Sequence, residues 1–381
     1  MLQNLYTMAV VGATLVAGHG YVKSIDIDGT TYPGYMPMVD KIFEPSGLKR
    51  VVWGAPEQNT FGVGPVVDVA SPDLACRAGA VPGALTAQAR AGSKLVFQWS
   101  DWFRSHKGPI LTYMARFDSP KKPQDLEFFK IDQSGYDQQT HTWATDLLIK
   151  QNNTWSLTIP SDIKPGKYVV RHELIALQFA SAGNPLGAGT TTTGAQLYPI
   201  CVNVEVTGTG TTTPAGVRFP GAYSPKDPGI LYDLYYGANT YPLPGPSVYQ
   251  GKHDPPVGPV PVVKNVGEVT TTSDEVYAQA VSIADKEFKT IQSTVDKALP
   301  GGGGCHWDVD ANGKEIAGTN KCTNPNEGLP LDMLDAPIVT GNYPGGAAYK
   351  GDKTNNLGVG TSQINGIFGK AASIKGRRMA W

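Results

Sequence analysis

The chain has 381 residues, with 32 Lys or Arg against 33 Asp or Glu, so its formal net charge is −1. This balance excludes the strongly basic surface with which proteins bind nucleic-acid phosphates, and we expect no nucleic-acid partner. Glycine (45) and proline (30) are abundant while charged residues make up only 17%, a composition that favours short strands and long loops over helix bundles.

Residues 1–18 are predicted to be a secretory signal peptide. The apolar run from Met8 to Gly18 is too short to span a bilayer and ends in the small residues that signal peptidase prefers. A buried first strand or helix is the alternative interpretation. No later stretch is long enough to be a transmembrane span, so we expect a secreted, extracellular protein without a membrane partner.

From residue 19 to about 250, short β-prone runs alternate with turn residues. Val, Ile, Phe, Tyr and Trp fill the runs, and Gly, Pro, Ser and Asp bound them. Because no helical pattern separates them, the spacing predicts an all-β fold, an immunoglobulin- or fibronectin-like β-sandwich with long loops. The clearest runs lie at residues 95–99, 110–115, 126–131, 154–159, 167–177 and 198–206.

A Pro-rich linker over residues 251–270 is predicted to end this domain, because its prolines favour extended backbone and remove hydrogen-bond donors. In residues 271–381, apolar residues recur at three- and four-residue spacing from Val276 to Val295. They predict one amphipathic helix ending before Pro300. A loop-rich tail follows, so we expect a C-terminal extension that is partly disordered and has no assigned role.

Four cysteines are present, an even number that an oxidising compartment converts into two disulfides. Three pairings are possible. The short separation of Cys305 from Cys322 favours a local bridge, which leaves Cys76 with Cys201 as a long-range bridge. The sequence Asn-Asn-Thr also marks Asn152 as the predicted N-glycosylation site.

A histidine exposed as the mature N-terminus is a candidate metal ligand. Cleavage after Gly18 gives His19 a free α-amine, and the amine and imidazole of one residue chelate a metal together. A ring nitrogen from a second histidine completes a T-shaped set of three nitrogens, which suits Cu(II). Cleavage at another bond would destroy this chelate and leave His19 as an ordinary residue at the start of a strand.

Several sequence blocks, in order, resemble the auxiliary activity family 9 lytic polysaccharide monooxygenases. The first block is HGYV at residues 19–22, and the block with the second histidine is SHKGP at residues 105–109. The resemblance covers residues 19 to about 249. Further blocks are CRAG at 76–79, PGAL at 82–85, LEFFKI at 126–131, RHE at 171–173, GAQLYP at 194–199, DPGIL at 227–231 and PGP at 244–246.

This resemblance implies an enzyme with one copper per chain. It implies His19 and His106 as the copper ligands, with Tyr198 in the axial position and catalytic as well. It also implies catalytic roles for His172 and Gln196 beside the metal. Gln196 and Tyr198 are two apart in an expected strand, so their side chains share a face of the sheet.

The reaction implied is oxidative cleavage of a β-1,4-linked glucan, cellulose or a hemicellulose, at C1 and/or C4. It uses an external electron donor and O2 or H2O2. Tyr241 is the leading candidate for substrate binding, since a tyrosine ring stacks on a sugar face, and Tyr32 and Tyr35 are further candidates. We expect the enzyme to be a monomer.

Two other functions compete with this one. A noncatalytic secreted protein that binds copper or polysaccharide would use the same sandwich, but the joint presence of His172, Gln196 and Tyr198 argues against it. A hydrolytic glycosidase needs paired carboxylates at a cleft, and neither Glu127 nor Glu173 has an evident partner.

Overall fold

A computed structural model describes residues 20–37, 39–40, 49–54, 64–118, 121–180, 192–234, 240–261, 281–286, 289, 304–306 and 321–323. The predicted signal peptide, His19 and most of the C-terminal extension lie outside these residues. Strands dominate the described chain and form two facing sheets, so the predicted β-sandwich is confirmed. No described helix is long and apolar enough to cross a membrane.

The first sheet is antiparallel. Its strands are β1 (Val22–Ile27), β2 (Thr30–Pro33), β5 (Lys94–Trp99) and β10 (Thr154–Thr158). They lie in the order β10-β5-β1-β2. In β5 buried and less buried residues alternate, which places Phe97 and Trp99 between the sheets.

The second sheet is built on two long antiparallel strands. Its members are β3 (Val66–Asp68), β4 (Ala87–Arg90), β6 (Ile110–Arg116), β7 (Phe129–Ser134), β11 (Gly166–Ala176) and β12 (Thr192–Thr207). The order is β3-β12-β11-β6-β7, and β4 pairs with β12 in parallel. In the register of β11 and β12, His172 lies opposite Ile200, and Ala176 lies opposite Gln196.

Both faces of the second sheet are buried. The inner face packs on the first sheet, and the outer face is covered by long loops that form a second apolar cluster. A disulfide between Cys76 and Cys201 joins one of these loops to β12, as the sequence predicts. Tyr198 and Cys201 therefore lie on opposite faces of the same strand.

A short helix, α1 (Ala144–Lys150), follows the small ladder formed by β8 (Tyr136–Asp137) and β9 (Thr142–Trp143). The backbone N–H of Trp143 donates to Asp146, which caps the helix, and Leu148 is buried on its inner side. The sequence does not predict this helix, because two turns are too short to show helical periodicity.

The described parts of the extension agree with the predicted helix. Residues 281–286 are helical, and Ala284, one of the predicted apolar positions, is fully buried. Two further strands, β13 (Gly304–His306) and β14 (Lys321–Thr323), pair so that Cys305 lies opposite Cys322. The bridge between these two cysteines stays a prediction that this register supports.

The first part of the predicted linker lies on the sandwich. Ser161 donates its backbone N–H to the carbonyl of Lys252 at 2.8 Å, and Arg90 donates to the carbonyl of Gly258. The chain therefore still packs against the sandwich beyond residue 250, the domain boundary that composition alone predicts.

Candidate active site

Three segments of the chain converge on Trp102 at one end of the sandwich. This buried indole donates its Nε1–H to the carbonyl of His106 at 2.9 Å. The edges of the rings meet, with centroids 5.8 Å apart for Trp102 and His106 and 5.1 Å for Trp102 and Tyr198. The structure thus places the predicted ligand His106 beside the predicted axial residue Tyr198.

His106 is held in a tight turn before β6. Its Nδ1 lies 3.0 Å from the hydroxyl oxygen of Ser105, so Nε2 is the ring nitrogen suited to bind a metal. The next turn requires glycine, because a Cβ on Gly108 would lie 1.9 Å from the carbonyl oxygen of Ile175. Close approach to the end of β11 therefore explains the glycine of the SHKGP block.

A chain of hydrogen bonds leads away from Tyr198. Its hydroxyl, fully buried, donates to Oε1 of Gln196 at 3.1 Å. The same oxygen accepts from Nε2 of Gln178 at 2.7 Å. No sequence pattern marks Gln178, which lies two residues past Ala176, the end of β11. Only the register of β11 and β12, in which Ala176 pairs with Gln196, brings it next to Gln196.

His172 is not part of this chain of contacts, which corrects the sequence-based expectation. It is fully buried between the sheets, where its ring stacks on Phe97 with centroids 4.1 Å apart and Nδ1 lies 2.9 Å from Oγ1 of Thr112. The reason is its place in β11: four residues before Ala176, it points into the core and not beyond the end of the strand. Gln178 occupies the position beside Gln196 instead.

The N-terminal segment enters β1 across the same indole. A Cβ on Gly20 would lie 2.7 Å from the ring of Trp102, so the backbone there packs directly on it. Arg77 donates to the carbonyl of Gly20 at 3.4 Å and lies over the ring of Tyr198, 5.8 Å from its centroid. His19 is outside the described residues, but it is bonded to Gly20. Gly20 touches Trp102, the ring that also contacts His106 and Tyr198.

The donor atoms at this end suit copper. An imidazole and a phenol converge here, and the described residues contain no group of three or more His, Cys, Asp and Glu side chains that could hold a metal by themselves. The N-terminal chelate predicted for His19 would add two nitrogen ligands to the imidazole of His106.

A cluster of aromatic side chains, one buried and two partly buried, is linked to this site through Lys107. Lys107 makes a salt bridge to Asp146 at 2.9 Å, and Asp146 caps Trp143. The ring of Trp143 meets that of Tyr241 with centroids 4.9 Å apart, and Tyr241 meets Tyr232 at 5.0 Å. Tyr241, which is partly exposed, is thus connected to the residue that follows His106 in the chain.

Tyr32 and Tyr35 are wrongly predicted as substrate contacts. They are only 1% and 6% exposed, and both belong to the cluster packed between the sheets. A ring must present an open face to stack on a sugar. Tyr32 points inward from β2 and Tyr35 is buried just after that strand, which a pattern of tyrosines in a Gly- and Pro-rich segment does not reveal.

Burial shifts the pKa of two cationic groups, and the two glutamates of the sequence blocks form ion pairs. Burial, with a further effect of Arg171, lowers the pKa of His172 to about 3, so this imidazole is neutral. Burial also lowers the pKa of Arg77 to about 10, still well above neutrality. Glu173 forms a fully buried ion pair with Arg171 at 2.6 Å, and Glu127 pairs with Arg218. These carboxylates do not form the facing pair that a glycosidase requires.

Comparison with known proteins gives a consistent match. The sequence model of Auxiliary Activity family 9 (formerly GH61) matches residues 19–242. "AA9 family lytic polysaccharide monooxygenase A" of Talaromyces verruculosus is 42% identical over 245 residues, covering 63% of this chain and 71% of the relative. "AA9 family lytic polysaccharide monooxygenase D" of Geotrichum candidum is 34% identical over 330 residues, covering 81% and 98%. A match to 81% of the chain necessarily includes residues 281–286.

Solved structures agree. Cel61B from Hypocrea jecorina, described as a glycoside hydrolase family 61 member, superposes with a TM-score of 0.54 at 36% identity, covering 61% of this chain and all of that one. The extended catalytic domain of H. jecorina LPMO9A gives 0.54 at 34%, covering 65% and 97%. The chain therefore belongs to Auxiliary Activity family 9, the lytic polysaccharide monooxygenases, and is an enzyme of oxidative polysaccharide cleavage.

Proposed function

We propose that the chain is a secreted copper enzyme that cleaves β-1,4-linked glucan, cellulose or a hemicellulose, at C1 and/or C4. One copper would be held by the amine and ring of His19 and by the ring of His106, with the phenol of Tyr198 beside them. The observation that carries this proposal is the packing of Gly20, His106 and Tyr198 on the single indole of Trp102.

Copper, when bound, supplies a one-electron redox centre that works with an external electron donor and O2 or H2O2. The chain's own side chains orient the reactants. Tyr198 donates its hydroxyl hydrogen to Gln196, which holds the phenol in place beside His106. Because Oε1 of Gln196 accepts from both Tyr198 and Gln178, its amide orientation is fixed. We assign its NH2 group the role of donating to the oxygen co-substrate.

The polysaccharide is bound by Tyr232 and Tyr241, the two partly exposed rings of the aromatic cluster, and the buried ring of Trp143 supports them. These rings lie in mutual edge-to-face packing, which stiffens them and leaves less side-chain freedom to be lost on binding. The salt bridge from Lys107 to Asp146 connects this cluster to the metal position.

Secretion follows from the predicted signal peptide, residues 1–18, whose removal also exposes His19. Asn152, the predicted glycosylation site, lies exposed in the turn before β10. We propose that the mature enzyme, residues 19–381, works as a monomer.

The test combines intact N-terminal mass analysis of the secreted protein with copper EPR. We expect a mature chain that begins at His19 and an axial nitrogen-ligated copper signal that is lost in His106→Ala. His253→Ala, at an exposed histidine on the far segment, is the matched control and should keep the signal. Oxidised oligosaccharides should appear from cellulose with the parent and the control only.

A mature chain that begins elsewhere, or a copper signal that survives in His106→Ala, would overturn the proposed site. Copper bound as expected, with no oxidised product from any β-1,4-glucan tested, would favour the noncatalytic binding protein.

A further inference from the structure

The helix at residues 281–286 contacts the sandwich at the start of β1. The carboxylate of Asp285 uses both oxygens: Oδ1 accepts from the hydroxyl of Tyr21 at 2.7 Å, and Oδ2 lies 3.0 Å from Nζ of Lys23. Beside it, Ala284 is fully buried. One acidic residue thus joins the C-terminal extension to a strand that lies 264 residues earlier in the chain.

These contacts differ in strength. Lys23 and Asp285 keep 33% and 24% of their side chains exposed, and exposed ion pairs of this kind contribute little by themselves. The bond from Tyr21 is charge-assisted and starts from a residue only 1% exposed. Together with the burial of Ala284, it carries most of the docking.

Tyr21, the residue that Asp285 contacts, lies two positions after His19, the proposed metal ligand. Tyr21 follows Gly20, whose backbone packs on Trp102. The backbone of Tyr21 is fixed on its other side by Ser100, which donates its N–H to the Tyr21 carbonyl at 2.8 Å. Nothing precedes His19 in the mature chain, so its position depends entirely on how firmly Gly20 and Tyr21 are held.

We propose that Asp285 is a positioning residue, through which the helix at residues 281–286 clamps Tyr21 and Lys23 and holds the N-terminal segment in place for metal binding. The docking stands on the contacts alone, whereas its effect at the metal rests on the proposed function. The extension is then a working part of the catalytic unit, and not a separate module.

The experiment uses the full-length secreted chain with three variants: Asp285→Asn, Tyr21→Phe and Ala284→Lys. Ser282→Ala, at an exposed position of the same helix, is the matched control. Hydrogen exchange of the peptide covering residues 20–27 in the copper-free protein reports docking. The expected result is exchange faster by about 10-fold or more in each of the three variants, because each loses a charge-assisted bond or buried contact, and no change in Ser282→Ala.

Copper affinity reports positioning. We expect the dissociation constant for copper to rise about 5-fold or more in the three variants, the lower end of typical coupling between sites, with altered EPR hyperfine splitting. Unchanged exchange in all three variants would refute the docking. Faster exchange with unchanged copper affinity would refute the positioning role. Loss of the proposed function shows separately, as copper bound equally by the parent and His106→Ala.

Discussion

At the scale of single residues, Gln178 is the side chain that most changes the expected site. It donates to the same oxygen of Gln196 that accepts from Tyr198, so it fixes an amide without touching the metal position. We predict that Gln178→Leu lowers the rate of oxidised-product formation about 10- to 100-fold while copper affinity changes little.

Product release from cellulose, measured beside a copper titration, checks this prediction. Gln88→Leu is the control, because Gln88 also donates to one acceptor, Glu205, but on the far side of β12. Equal rates of oxidised-product formation in Gln178→Leu and Gln88→Leu would show that the amide of Gln196 does not need the hydrogen bond from Gln178.

His172 makes the stability of the protein depend on pH. Its pKa is about 3 in the folded chain and close to the ordinary 6.5 when unfolded, so the unfolded state binds the proton more readily. The free energy of unfolding therefore falls as the pH drops below about 6.5, by up to about 1.4 kcal/mol per pH unit for this one proton.

We predict that His172→Phe, which keeps a ring against Phe97, weakens this dependence between pH 6.5 and 4. Urea unfolding at several pH values measures it, and His253→Ala should retain the parent slope. A parent-like slope in His172→Phe would mean that other groups account for the acid sensitivity.

At the scale of elements, the cluster of Trp143, Tyr232 and Tyr241 joins the ladder of β8 and β9 to the C-terminal loop of the sandwich. Removing one ring should reduce stacking without disturbing the metal position. We predict that Tyr241→Ala weakens binding to cellulose roughly 10-fold, with an unchanged copper EPR spectrum. Depletion binding to microcrystalline cellulose measures the loss. Tyr249→Ala, which removes a partly exposed tyrosine bonded to Asp162, is the control, and equal losses would refute the assignment.

The strands were largely predictable from the sequence, and the orientation of individual side chains was not. The run at residues 95–99 matches Lys94–Trp99, and the run at 110–115 matches Ile110–Arg116, since alternation and turn residues mark both. His172 was misplaced because a matched block fixes a residue's strand but not its depth in the sandwich. The prediction of Tyr32 as a substrate contact was wrong for the same reason, since burial depends on which face of a hairpin meets the other sheet.

At the scale of the whole molecule, the disulfide from Cys76 to Cys201 spans 125 residues and ties a loop to the central strand β12. A bridge across so long a loop restricts the unfolded chain strongly. We predict that the double variant Cys76→Ala/Cys201→Ala loses about 3–5 kcal/mol of unfolding free energy, which corresponds to a Tm lower by roughly 10 °C.

Differential scanning calorimetry of the mature chain provides the measurement. The double variant Cys305→Ala/Cys322→Ala is the control, because its predicted bridge lies in the extension, and the main transition of the sandwich should stay within a few degrees. An equal decrease in Tm in the two double variants would mean that the long-range bridge stabilises the protein no more than the predicted bridge in the extension.

The contact between Tyr21 and Asp285 can form only after both residues have been synthesised. Removal of the predicted signal peptide would expose the proposed N-terminus early in export, whereas Asp285, the partner of Tyr21, is made 264 residues after it. At about 5–20 residues per second, this gap lasts on the order of 10 to 50 s. If the proposed clamp is correct, the exposed N-terminus would lack it throughout that interval, and firm metal binding would begin only after residue 285 has been synthesised.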